Sequence, residues 1–158
     1  MREAFELLSG RDLSPSDYND DNNGIPYITG ASNFMNGKVI INRWTTEPQV
    51  ITETGDLLVT CKGTVGEISV NSIGQSHIAR QVMAIRNLFS LNVYYLQSVI
   101  SYYVGSLKHQ SKGLIPGISR DDILQIIMPI PPRAEQDRII EMQQQISNNI
   151  FNIESNLT

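Results

Sequence analysis

Cysteine is almost absent from this 158-residue chain. Cys61 stands alone, so no disulfide forms within it, and a disulfide-stapled secreted fold is excluded. Histidine is nearly as scarce, with His77 and His109 only. Two distant histidines and one cysteine make no recognisable zinc set, so no metal is expected. Long apolar runs are missing as well; none approaches the roughly 18–20 residues needed to span a bilayer. The opening MREAFELLSGRD has neither a basic n-region nor an apolar h-region. A cytoplasmic protein with no membrane contact is the expectation. No Gly-rich fingerprint follows a strand and opens a helix, so no nucleotide cofactor is called for. Lys62-Gly63-Thr64 lacks the preceding glycine-rich run of a phosphate loop.

What is present suits a globular domain: 41% apolar residues with charges of both signs interspersed. The net charge of −4 argues at first against a polyanionic partner. Its distribution differs. Residues 1–36 carry −4 and residues 121–158 carry −4, whereas residues 37–120 hold eight basic side chains against four acidic ones, for +4.

Local patterns give the elements. REAFELL reads as a short helix or an irregular strand, and SGRDLSPSDYNDDNNG as a loop. Tyr27–Thr29 begins a strand that Gly30 breaks, and Asn36-Gly37 ahead of Val39–Ile41 signals a hairpin. Leu57–Cys61 and Glu67–Val70 are β-rich runs joined by Lys62-Gly63-Thr64-Val65-Gly66, whose glycines permit a tight reversal. Val82–Arg86 supplies one more strand. Val93, Leu96, Ile100, Tyr103 and Val104 fall at helical spacing, with an end expected near Gly105. Ser119 and Asp122 form a capping-type start for a very short helix. Leu124–Ile130 reads as a strand stopped by Pro131-Pro132. After Arg133 no Gly or Pro occurs, and Ile139, Met142, Ile146, Ile150, Ile153 and Leu157 make one apolar stripe of helical period. Such a helix lies on its own domain or pairs, coiled-coil fashion, with a partner's helix; pairing is favoured.

The segment GISRDDILQIIMPIPPRAEQDRII resembles the end of a target-recognition domain in type I restriction–modification specificity subunits. In that family a strand closing on Pro-Pro precedes a Glu-Gln pair that opens a long helix; Pro131, Pro132, Glu135, Gln136 and Ile139 stand at the matching places. GDLLVTCKGTVGEISV is similar to the family's Gly-Asp strand, its Gly-Thr turn and its second strand. SGRDLSPSDY with GIPYITGASNF looks like its usual opening. The resemblance implies a non-catalytic chain that binds double-stranded DNA by sequence, and that works with modification (methyltransferase) and restriction subunits. A full-length subunit of this family holds two such domains, each reading half of a split site, with two long helices between them. One domain and one helix fit a half-length subunit that homodimerises through its helix, and equally a piece of a longer chain.

The expected architecture is therefore α+β: a twisted, mostly antiparallel sheet with packed helices and a long protruding C-terminal helix. Residues 1–130 would form the DNA-binding domain and 131–158 the helix for dimerisation and subunit docking. Base reading favours Arg, Lys, Asn and Gln on loops, which singles out Asn33, Lys38, Arg43, Lys62, Arg80, Lys108, Gln110 and Lys112, with Thr64 and His109 on the same loops as further candidates. Trp44, beside Arg43, is expected in the core. Two other readings compete: an adaptor that assembles through its C-terminal helix without touching DNA, and a hydrolase built on Ser76 and His77. Salt-dependent binding to duplex DNA separates the first from DNA recognition.

Overall fold

Two apolar strands with both faces buried set the architecture. The computed structural model describes residues 5–110 and 117–157. Its strands are β1 (Phe5–Ser9), β2 (Ile25–Ile28), β3 (Phe34–Met35), β4 (Lys38–Val39), β5 (Trp44–Thr45), β6 (Ile51–Thr52), β7 (Leu57–Thr60), β8 (Ile68–Val70), β9 (Ser76–Ile78) and β10 (Val82–Asn87). The α-helices among the described residues are α1 (Val93–Gln110), α2 (Arg120–Leu124) and α3 (Arg133–Asn156).

The first sheet is antiparallel, in the order β1-β10-β7-β8. Successive strand side chains point to opposite faces. Leu57, Val59, Met83 and Ile85 therefore meet Leu96, Ile100, Val104, Ile118 and Ile123 on the helical side. Leu58, Val82 and Ala84 meet Ile28, Val39 and Ile78 on the other. That second face is covered by another sheet, ordered β5-β2-β9-β6, in which only β2 and β9 run parallel. The small β3–β4 hairpin is tied to β8 by the Ser69 hydroxyl, which donates to the Gly37 carbonyl at 2.9 Å. The result is three layers, helices over sheet over sheet. The expected α+β class and mostly antiparallel pairing hold, with two sheets where one was anticipated.

Of the two forms open to the first segment, the structure takes the strand: Phe5 and Leu7 point into the helical core. Other local expectations differ from the structure. α1 runs through Gly105 to Gln110. No strand spans 124–130, because the Ser119–Asp122 capping box launches α2, which absorbs Leu124. Beyond it Pro129, Pro131 and Pro132 offer no ladder donors; Ile126 is buried while Ile127 is 93% exposed. Trp44 is only half-buried, on the edge strand β5.

α3 has two parts. Gln136 and Ile140 are buried against the globule, and Ser98 Oγ donates to Gln143 Oε1 at 2.8 Å from α1. Every residue from 141 to 157 is exposed. The helix protrudes, as expected, but the packed side chain at its base is Ile140, with Ile139 half-buried.

Candidate nucleic-acid interface

Four chain segments converge where β7 leaves the first sheet and β10 enters it. The Cys61 N–H donates to the Gln81 carbonyl at 2.7 Å, and the Ile118 N–H to the Cys61 carbonyl at 2.9 Å. On the neighbouring side the Gly10 N–H reaches the Val82 carbonyl at 3.1 Å, and the Arg11 N–H the Ile78 carbonyl at 2.9 Å. Loops 10–12, 61–66, 79–81 and 117–120 thus share one end of the sheet. α1 follows β10 and passes β8, where the Ile68 carbonyl accepts from Gln97 Nε2.

The shared end is exposed and carries basic side chains from several segments. Lys62 and Thr64 project from a turn closed by Gly66 N–H to Thr60 O and Glu67 N–H to Thr60 Oγ1, both 2.9 Å. Gly63 and Gly66 hold φ of +72° and +88°, which a side chain disfavours. Arg80 lies in the adjoining turn, ion-paired with Asp12 at 2.8 Å. Arg120 reaches back from α2, its Nη1 donating to Leu7 O at 2.8 Å and Ser9 Oγ at 2.7 Å. Cys61, between these turns, is buried; desolvation pushes its thiol pKa up, so it is a poor nucleophile.

The other sequence candidates sort as follows. Asn33 does not face solvent. It is 1% exposed, its Oδ1 accepts from the Thr29 N–H and hydroxyl, and its Nδ2 donates to Ile40 O; its polar groups are satisfied inside. Lys38 is exposed on the β3–β4 hairpin, and Arg43 lies over the Tyr18 ring at 4.8 Å beside β5. Both are thus on elements other than the Lys62 turn. Lys108, His109 and Gln110 occupy the last turn of α1 and not a loop. Lys112 lies outside the described residues. Arg120 and Asp12 join these candidates only in the structure: one sits in a helix too short to read as a site, the other in an undifferentiated polar loop.

The hydrolase reading does not survive. Ser76 and His77 are both fully buried on β9. The Ser76 hydroxyl donates to Gly74 O at 3.1 Å, while His77 Nε2 engages Arg11 O at 2.8 Å.

A family profile described as type I restriction modification DNA specificity domain matches residues 2–158. The chain belongs to that family. A Methanocaldococcus jannaschii protein assigned as the MjaX specificity subunit of a type I restriction enzyme is 23% identical over 148 residues, covering 92% of this chain and 35% of its own length. The HsdS subunit from Thermoanaerobacter tengcongensis superposes with a TM-score of 0.84 at 26% identity, over 99% of this chain and 38% of that one. A chain from work on complex assembly and conformational transition of the type I R-M system gives 0.85 at 26% identity, over 96% and 38%. The specificity domain thus spans well under half the length of these relatives.

Two blocks of the family resemblance acquire physical meaning in this specificity domain. Asp56, of the Gly-Asp block, is buried and bound by Arg86 Nη2 at 2.9 Å, the Thr52 hydroxyl and the Glu53 N–H. The Asp56 hydrogen bond holds the Arg86 guanidinium above its usual pKa. Gln136, of the Glu-Gln block, accepts from Asn92 N–H at 2.9 Å and donates to Pro131 O at 2.8 Å. It clamps the start of α3 to the loop before α1.

Proposed function

We propose that this chain recognises part of a DNA site by sequence, as a half-length specificity subunit that directs partner modification and restriction subunits to a split target in the cytoplasm. Methylation and cleavage belong to those partners. The observation that carries the reading is the match of a DNA-specificity family along residues 2–158, in a fold that gathers Lys62, Thr64 and Arg80 on loops and Arg120 at the start of α2 at one end of a sheet. Lys38, Arg43 and the last turn of α1 extend the candidate contact set. Two copies would join through Met142, Ile146, Ile150 and Ile153 of α3 and its C-cap Leu157, which are exposed in the single chain. Residues 1–130 would read DNA and 131–158 would dock the subunits.

The test is enrichment of a random duplex library by the full chain, alone and with type I modification subunits. A defined motif, with affinity falling steeply as salt rises, is expected. Lys62→Gln should lower the salt slope by about 1 and weaken binding to all sequences alike, without shifting thermal stability, because Lys62 is an exposed turn residue. No motif and no salt dependence would leave the adaptor reading in its place.

A further inference from the structure

Asp12 holds Arg80 at two points. Its Oδ1 accepts the Arg80 backbone N–H at 3.1 Å, and its Oδ2 lies 2.8 Å from Arg80 Nε. Arg80 itself occupies the tight turn closed by the Val82 N–H and the Ala79 carbonyl at 2.9 Å.

The loop that carries Asp12 is fixed in turn from both sides. The Arg11 carbonyl accepts from buried His77 Nε2 at 2.8 Å, and the Arg11 N–H donates to Ile78 O. Gly10 approaches the Ala79 carbonyl so closely that a Cβ there would stand 2.0 Å from its oxygen. Yet the side chains so carefully seated are open to solvent, at 66% for Arg80 and 47% for Asp12.

An ion pair this exposed adds little to stability. Its effect is geometric: the guanidinium stands in one place, with less rotamer freedom to lose on contact. That matters differently for two kinds of DNA contact. A carboxylate beside a phosphate-binding arginine repels the phosphate and cancels the charge that binds it. Beside a base-reading arginine it does no such harm, because discrimination comes from the fork geometry that meets guanine O6 and N7 together.

Building on the DNA-recognition reading, we infer that Arg80 reads a guanine edge in the major groove and that Asp12 is its positioning residue. Lys62, in the adjoining turn, has no such carboxylate clamp among the described residues and suits the phosphate role.

The experiment is selection from a random duplex library by the full chain with modification subunits, run for wild type, Arg80→Lys, Asp12→Asn and Asp12→Glu. The wild type should enrich a motif with a guanine at one fixed position. Arg80→Lys keeps the charge and loses the fork, so preference for that guanine should fall about 10- to 100-fold with other positions and the salt slope unchanged. Asp12→Asn should lose the same preference even though it removes a negative charge, which by electrostatics alone strengthens DNA binding. Asp12→Glu should retain part of it. Melting temperatures should match across the set, since the pair is exposed.

If Arg80→Lys and Asp12→Asn both select the wild-type motif, or if Asp12→Asn merely tightens binding to every sequence, the inference is overturned while DNA recognition stands. A wild-type chain that enriches no motif at all removes both.

Discussion

At the scale of single residues, the group most suggestive of chemistry is a packing residue. His77 Nδ1 accepts from the Gln49 and Val50 N–H groups at 3.3 and 3.1 Å, and Nε2 donates to the Arg11 carbonyl. The ring lies 5.0 Å from that of Tyr27. This pattern fixes the neutral Nε2–H tautomer; Nδ1 also lies 3.1 Å from Val50 O, a contact only the cation would turn into a hydrogen bond. Burial pulls the imidazole pKa below its ordinary 6.5, against the opposing carbonyls and Asp12. A histidine depressed in the fold binds its proton more readily when unfolded, so stability rises with pH between the folded pKa and 6.5 and is lost on acidification through that window. The slope reaches at most about 1.4 kcal/mol per pH unit. Thermal melts between pH 7.5 and 5.5 should show wild type losing stability that His77→Gln, lower but flatter, does not lose. Parallel curves for the two proteins would refute the assignment.

At the scale of elements, what local chemistry determines was legible, and what distant pairing determines was not. The Ser119–Asp122 box, the Lys62 turn between β7 and β8, and the start of α3 after Pro132 each follow from a few adjacent side chains. β5, β6 and β9 are two or three residues long, and β9 owes its strand state to β2 and β6, far away in the chain. No window of sequence carries that. The candidate site was legible to the same degree. Lys62 and Arg80, singled out as loop-borne candidates, do stand exposed on turns, while Asn33, equally polar and equally loop-borne, proved to be an internal brace. α3 shows the distinction within one element: a regular stripe of helical period predicts a helix but not where packing stops. That boundary is set where Gln136 meets the loop before α1 and Gln143 meets Ser98 of α1. Gln136→Ala removes two hydrogen bonds from a buried site and leaves the Asn92 N–H and Pro131 O to find other partners. It should cost about 1–3 kcal/mol in urea unfolding, whereas Gln144→Ala, on the exposed length, should stay within about 0.5 kcal/mol. Equal effects would mean that the base of the helix is not clamped as seen.

At the scale of the whole molecule, the projecting half of α3 poses a stability problem that one copy does not solve. Beyond Gln143 the helix has too few residues to be more than marginal alone in water. From Met142 to the C-cap Leu157 it nevertheless presents Met142, Ile146, Ile150, Phe151, Ile153 and Leu157 to solvent, from 48% to 82% exposed. Burying such side chains yields roughly 1.5–3 kcal/mol each, and association costs an estimated 4–15 kcal/mol. The two quantities are comparable, so the proposed homodimer should be concentration-dependent and not permanent. Sedimentation of the full chain from about 1 to 100 μM, where about 7–8 kcal/mol of net association would show, should therefore show a monomer giving way to a dimer. Truncation after Gln145 keeps Gln136, Ile140 and Gln143, and should stay monomeric throughout with its globular melt intact. Ile150→Asp in the full chain should shift the same equilibrium toward monomer by at least about tenfold, since it places a charge in the centre of the stripe. Identical sedimentation of all three would exclude pairing of identical helices, and would leave the stripe to a helix of a different chain or domain.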